Sequence, residues 1–532
     1  MRKKTLVTIV LISLCCVSTI FKTTRYSNKG YFSIYPTGIS PLYDWQYSKV
    51  ELNKAWEISI GRKEVLIGVI DSGISSIPDD LIGQLNTSLS VDCLGLNRDP
   101  FVDLVPHGTC VAGVIGANGE NSIAKSGVLW KSNLVSLRCD DNVNNLETPS
   151  AVIEAIDYAT DNDIPILNFS GGFGYGSDVQ IPFLQQGALA QKISNYPGLI
   201  VCAAGNAGAF ISDIVHQVYP QSFTYDNLLV VGSSNNNDEK CSYSNYGPSV
   251  DLFAPSDIST INLSDYGTSS FSGTSCSSPL VAGVAGLLKS INPSLTTSEL
   301  KETILNNCDE LDSLSLYCTN GRRLNAYKAT LSVIPSYTLG TTQSSLYEIG
   351  PNEYQWFKFN GFPGGYRFTN NSNLNITASL YSDIQSSPLV SGTANGSGTL
   401  FDYTFLDTNT YYLKISNNSE VSSNYSISSS LIHVHDYTDD YIWYDDTKHY
   451  SYCECGNAVL QPHIVHSGED YCILCDGYAR MGFIVRSGNE HHDVLNDSYI
   501  LPNKILILGD HDYKSFLDNE LSINVLLGVQ NE

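Results

Sequence analysis

Short apolar runs rich in β-branched residues recur along the first part of the chain: Val65–Ile70, Leu134–Leu137, Ile164–Phe169, Leu199–Ala203 and Leu228–Gly232. Each predicts a strand buried on both faces, as in a parallel sheet. Helical candidates lie between and after these runs. His107–Ala117 is small and apolar, Ser150–Asn162 has helical spacing, and Gly273–Ser290 carries an uninterrupted apolar stretch from Leu280 to Leu288. A helix that apolar belongs in the middle of a domain, not on its surface. Strands alternating with helices imply right-handed crossovers. Residues 44–331 are therefore expected to form a doubly wound α/β domain on a mostly parallel sheet.

After Ala329 the pattern changes. Residues 335–430 are rich in Ser, Thr, Asn, Tyr and Gly, with alternating pieces at Tyr354–Phe359, Tyr366–Thr369 and Tyr411–Ile415. Asn- and Gly-bearing turns separate them, which predicts a β-sandwich accessory domain. Residues 431–480 bring Cys and His together at short spacings as a small Cys/His module. The tail, 481–532, holds the apolar runs Ile505–Leu508 and Ile523–Leu527 and is left unassigned. At the other end, three positive charges within Met1–Lys4 precede the apolar run Leu6–Phe21. Residues 1–21 read as a signal peptide, or as an uncleaved N-terminal anchor because no clean small-x-small pair closes the run. Residues 22–43 form a linker. The body of the protein is expected to be secreted or held at the cell surface.

Composition narrows the partners. With 29 Lys and Arg against 54 Asp and Glu, the formal charge is −25. Such a surface repels nucleic acid and anionic lipid, which excludes both as partners. At 532 residues with 42% apolar content, the chain has material for two or three domains. Of its 14 cysteines, two lie in the leader, eight between Cys93 and Cys318, and four at 453–475. Cys110, Cys202 and Cys276 sit in apolar stretches and read as small buried residues. Cys308 and Cys318 flank a short acidic loop, with a bridge between them left open. Cys453, Cys455, Cys472 and Cys475, with His435, His449, His463 and His466 nearby, fit a structural zinc or two disulfides.

The chemistry lies in short motifs. Val65–Ile70 delivers Asp71 to the C-terminal end of an apolar strand, where open α/β sheets place their active sites. His107-Gly108-Thr109 opens a helix with an imidazole, and Gly273-Thr274-Ser275 puts a hydroxyl at the start of the buried helix. A serine hydroxyl is a weak nucleophile and needs a base. Histidine titrates near neutral pH, and an acid behind it fixes its tautomer. Only one other histidine, His216, occurs in the first 430 residues, and it lies in a polar loop. A fourth motif, Ala203-Ala204-Gly205-Asn206, ends another strand. The Asn206 amide and the backbone N–H of Ser275 would together face a developing oxyanion.

On these four motifs, residues 44–331 resemble a serine endopeptidase of the subtilisin (S8) family, whose chain order of Asp, His and Ser they share. The resemblance implies an exported peptidase acting on polypeptides through Asp71, His107 and Ser275, with Asn206 in the oxyanion hole. It implies that Ser170, Gly171 and Gly172 pair with substrate as an added strand, and that Ala203, Ala204 and Gly205 form the other wall of the specificity pocket. Those walls are small and neutral, which suits a broad or apolar preference. The turn Asn118–Ile123 resembles the family's calcium loop, with Asn121 and either Asp79 or Asp80, preferably Asp80, as ligands. Nothing in the chemistry itself requires a cofactor.

Two departures stand out. The family commonly carries a long N-terminal chaperone segment, for which residues 22–43 leave little room. Cys276 flanks the nucleophile where the family often has methionine. The competing readings are a catalytically silent peptide-binding relative and a surface adhesion protein whose C-terminal modules bind a cell-surface ligand. A monomer is expected.

Overall fold

The computed structural model describes residues 45–433, apart from 122–125, 140–147, 178 and 264–267, together with short strands between 440 and 507. Two short helices, α1 (Trp45–Lys49) and α2 (Leu52–Ala55), precede β1 (Leu66–Asp71), β2 (Val91–Asp92), α3 (His107–Gly116) and β3 (Asn133–Arg138). Then come α4 (Pro149–Asp161), β4 (Ile166–Phe169), β5 (Phe173–Gly174), α5 (Phe183–Asn195), β6 (Leu199–Ala203), β7 (Val218–Tyr219) and β8 (Leu228–Ser234). This part closes with β9 (Leu252–Pro255), β10 (Ile258–Ile261), β11 (Thr268–Phe271), α6 (Thr274–Ile291), α7 (Thr297–Asn306), β12 (Asp309–Glu310), β13 (Arg322–Arg323) and α8 (Ala326–Ser332).

Nine strands form one sheet in the order β12-β13-β9-β8-β6-β4-β1-β3-β2, parallel except where β12 meets β13. Chain order reverses around β1: β2 and β3 lie on one side of it, β4, β6, β8 and β9 on the other. The carboxyl end of β1 is thus a switch point, the place where open α/β sheets leave a crevice. Alternate residues along each strand feed opposite layers, as the pleat requires. Val201 joins the core that contains α6, whereas Ile200 and Cys202 join the core beneath α4 and α5.

The expected strands and helices are present with small shifts of boundary. The strand expected to begin at Ile164 begins at Ile166, because Pro165 has no N–H to give a ladder. The expected central helix is α6, buried along its length except at Lys289. The cysteines are simpler than a bridge between 308 and 318 would require. Both are free and buried, with Cys308 Sγ donating to Ile304 O at 3.2 Å and Cys318 Sγ turned toward Arg322 O at 3.7 Å. Burial pushes their pKa values up to about 12 and about 11, so both are neutral thiols.

Beyond α8 the chain forms two four-stranded antiparallel sheets. One pairs β14 (Thr342–Ser344), β16 (Gly364–Asn370), β19 (Gly398–Phe405) and β21 (Ser426–His433), and the other β15 (Tyr354–Asn360), β17 (Asn375–Tyr381), β18 (Val390–Asn395) and β20 (Thr410–Asn417). They share a core that includes Phe357, Phe368, Phe405 and Leu413. The leader and linker (1–43), the tail beyond 507 and most of the Cys/His segment, including Cys453, Cys455 and Cys475, lie outside the described residues, as does the side chain of Cys472.

Candidate active site

Asp71 ends β1 and is 1% exposed. Its Oδ1 receives His107 Nδ1 at 2.8 Å and the backbone N–H of Ser72 at 2.8 Å. His107 is the first residue of α3. Glycine must follow it, because a Cβ on Gly108 would lie 2.1 Å from Gly73 O and 3.0 Å from Asp71 Oδ1. The imidazole also meets Phe271 edge-on, with ring centroids 5.4 Å apart.

Behind this pair stands a second buried carboxylate that sequence reasoning missed. Asp103 accepts Ser72 Oγ at 2.9 Å, Val105 N at 3.1 Å, Thr109 N at 2.8 Å and Thr109 Oγ1 at 2.6 Å. Ser72 Oγ in turn accepts Gly108 N at 3.0 Å. These bonds satisfy N–H groups in the first turn of α3 that no helical carbonyl reaches, and they hold the imidazole's helix to the end of β1. The available signal was the acidic residue four positions ahead of His107.

Ser275 is the second residue of α6. Gly273, at φ 102°, makes the sharp entry into that helix, a backbone state that favours glycine. Ser275 Oγ donates to Ser170 O at 3.0 Å, and Ser170 Oγ donates to Ser275 O at 3.2 Å. The expected substrate wall and the expected nucleophile are therefore in direct contact. Asn206 follows β6 on an exposed loop. Its Oδ1 accepts both Thr274 N at 2.9 Å and Thr274 Oγ1 at 3.0 Å. A backbone N–H can only donate, so the amide orientation is fixed and its NH₂ end is the free one. Asn245, which no local pattern announced, shapes that loop from 39 residues downstream. Its Oδ1 accepts Ala207 N and Ala209 N, and its Nδ2 donates to Ala204 O.

The remaining expected positions fall as follows. Ser170, Gly171 and Gly172 continue from β4, while Ala203, Ala204 and Gly205 close β6 and continue from it. The two strands pair as far as Phe169↔Cys202. Asn121 Nδ2 donates to Asp80 Oδ1 at 2.8 Å, so the two expected calcium ligands do meet. Among the described residues no group of three or more His, Cys, Asp or Glu side chains gathers to hold a metal. Cys276 is fully buried with Sγ 3.4 Å from Ser256 Oγ, and burial pushes its pKa up to about 11, a small neutral residue at physiological pH. His216 is bonded locally, Nδ1 to Phe210 O at 3.0 Å, and stacks on Tyr175.

A family model described as the subtilase family matches residues 62–329. Thermitase of Thermoactinomyces vulgaris is 33% identical over 293 residues, covering 53% of this chain and 93% of that protein. The thermophilic serine proteinase of Bacillus sp. (strain AK1) is 30% identical over 312 residues, 58% of this chain and 70% of its own length. The halolysin-like extracellular serine protease Nep of Natrialba magadii is 31% identical over 272 residues, 49% of this chain and 47% of its own.

Proposed function

The chain belongs to the subtilase family and is a serine-type endopeptidase; from that premise we propose that Asp71, His107 and Ser275 are its triad and Asn206 its oxyanion donor. The observation that carries this is the 2.8 Å contact of His107 Nδ1 with Asp71 Oδ1. With Nδ1 held there, the other ring nitrogen is the one that acts as base. The Ser275 hydroxyl leaves Ser170 O, passes its proton to that nitrogen and attacks the substrate carbonyl. Asn206 Nδ2 and the N–H of Ser275 stabilise the charge that develops on the carbonyl oxygen. His107 then gives that proton to the departing amine as the C–N bond breaks and the acyl-enzyme forms. In the second half His107 takes a proton from the attacking water and returns it to Ser275 Oγ as the acid product leaves. Ser170–Gly172 receive the peptide backbone as an added strand, and the uncharged walls around the crevice suit a neutral side chain. Cleavage of a peptide library by the wild type and by Ser275→Ala tests the reading. Equal cleavage by both would refute it, as would failure of a fluorophosphonate to label Ser275.

We place the protein outside the cytoplasm. The leader-like residues 1–21 and the extracellular relative from Natrialba magadii support this, and no described helix is long and apolar enough to cross a membrane. Residues 335–430 fit an accessory β-sandwich, supported by the two antiparallel sheets and their common core. A calcium ion with a structural role would take Asp80 and Asn121 among its oxygen ligands. That reading predicts a lower Tm in EDTA for the wild type and no such drop for Asp80→Ala.

A further inference from the structure

Beside Ser275 one buried side chain spans the space between the two expected substrate walls. β4 and β6 are paired from Ile166↔Leu199 to Phe169↔Cys202, and there the ladder ends. Past that point Ser170–Gly172 and Ala203–Gly205 face one another across a gap. Ser275 Oγ rests on Ser170 O at one side of it, and Asn206 follows Gly205 at the other. A carbonyl held between Ser275 and Asn206 must therefore let its own residue's side chain down into this gap.

Gln221, two residues after β7, lies across the gap. Its Nε2 donates to Gly171 O at 2.8 Å and to Ala203 O at 2.6 Å, one carbonyl from each wall. A primary amide has two N–H groups, and both are used in this bridge. Gln221 is 0% exposed, and its Oε1 is buried without a hydrogen-bond partner. The surrounding space is full as well. A Cβ on Gly172 would lie 3.0 Å from Gln221 Nε2, 3.1 Å from its Oε1 and 3.2 Å from Val218 Cγ1. Gln221 thus fills the space between Gly171 O and Ala203 O.

We propose that Gln221 is the specificity-determining residue of this endopeptidase: by bridging the two walls it truncates the pocket for the side chain preceding the scissile bond and restricts it to small, uncharged residues such as alanine, glycine and serine. The proposal rests on the protease reading of this site and narrows its neutral pocket to a shallow one. A leucine or phenylalanine side chain could be seated only by displacing Gln221. That would take the amide away from Gly171 O and from the buried Ala203 O, a loss that costs most where water cannot replace the donor. A charged side chain would find no counter-charge among the residues of the two walls.

The test uses the full-length protein and a matched set of chromogenic peptides differing only in the residue before the cleaved bond. The wild type is expected to show kcat/KM for alanine at least about tenfold above that for leucine or phenylalanine, the scale on which pocket fit discriminates. Gln221→Ala should deepen the pocket and raise the leucine and phenylalanine values relative to alanine by about tenfold. Gln221→Met, of similar length but unable to bridge the walls, lacks the two hydrogen bonds that resist displacement, so it should also raise the leucine and phenylalanine values relative to alanine. Equal wild-type turnover of alanine and phenylalanine overturns the proposal without any variant. An unchanged ratio in Gln221→Ala or in Gln221→Met overturns it too. If no peptide is cleaved and a fluorophosphonate does not label Ser275, the protease reading itself falls and takes this inference with it.

Discussion

Thr274 donates to Asn206 Oδ1 through both its backbone N–H and its hydroxyl, and the same hydroxyl accepts the N–H of Gly205. One side chain thus ties the start of the helix that carries Ser275, the proposed nucleophile, to the loop that carries Asn206, the proposed oxyanion donor. Asn206→Ala should lower kcat by a factor on the order of 10²–10³, the size established for the corresponding donor of subtilisin itself. Thr274→Val keeps the backbone bond and removes the other two. A lost hydrogen bond of about 1–1.5 kcal/mol corresponds to a fall in kcat of roughly tenfold. KM should stay near the wild-type value, because the oxyanion forms only in the transition state. Thr274→Ser should restore most of the loss, and steady-state kinetics on one peptide measure all three variants.

Asp103 organises the turn ahead of His107 through four hydrogen bonds while 5% exposed. Asp103→Ala strands Val105 N and Thr109 N in or near the interior and leaves Ser72 Oγ only its longer 3.2 Å bond to Asp71 Oδ1 as a donor. Each stranded buried group costs about 1–3 kcal/mol, so a destabilisation of about 3 kcal/mol or more is expected. Urea unfolding in a Ser275→Ala background, which prevents self-digestion, measures it. A loss below about 1 kcal/mol would show that water replaces the carboxylate without difficulty.

The distinction between Asp71 and Asp103 shows what the sequence made legible. Asp71, His107, Ser275 and Asn206 each sit in a short stretch whose neighbours carry the signal: an apolar strand before the acid, a glycine after the histidine, an apolar helix after the serine. Their partners act across the fold. Asn245 reaches Ala204 from 41 residues away, and Gln221 reaches Gly171 from 50. Neither lies in a periodic segment, so only the closed chain shows what they do. Helix α5 escaped for a different reason. It buries only Leu189 and Ile193, while Phe183 and Leu184 are 84% and 83% exposed, so its apolar positions do not mark its inner face. β9 escaped because it is four residues long and ends in proline, too short for periodicity to register.

Acid should loosen the N-terminal helices before it dissolves the sheet. Asp309 accepts Lys328, Arg323 and Asn325, while Arg323 and Lys49 both reach Asp238 and Asn325 also holds Glu51. Burial alone would raise the pKa of Asp309, but the bonds from Lys328, Arg323 and Asn325 and the charge of Arg323 outweigh it and hold the value below its ordinary one. A carboxylate with a depressed folded pKa stabilises the fold above its unfolded pKa, about 3.9, and that contribution is lost as pH falls through the lower folded value. Asp309→Asn should therefore be less stable than wild type at pH 7, with the gap closing below about pH 4. Urea midpoints at both pH values decide this, and a gap that persists in acid would refute it.

Trp356 and Phe357 are consecutive on β15 and should report on different bodies of the protein. Adjacent strand residues point to opposite faces. Trp356 packs into the core of the catalytic part, and its Nε1 donates to Glu57 O at 3.1 Å. Tyr354 on the same face donates to Trp56 O at 3.2 Å, Glu353 pairs with Lys131 at 2.9 Å, and the Arg62 guanidinium lies 3.3 Å from the centre of the Tyr347 ring. Phe357 points instead into the core shared by the two antiparallel sheets. Truncating a buried aromatic costs about 3–5 kcal/mol. In Trp356→Ala that loss falls on the contact between the two parts, so protease should cut near Val333–Ser336 sooner while peptide kinetics stay close to wild type. In Phe357→Ala it falls on the accessory sheets, which should unfold in a separate, earlier calorimetric transition. Identical melting and cleavage patterns for the two variants would mean that residues 335–430 and the catalytic part unfold as one unit, and that the face on which each side chain lies does not decide what it stabilises.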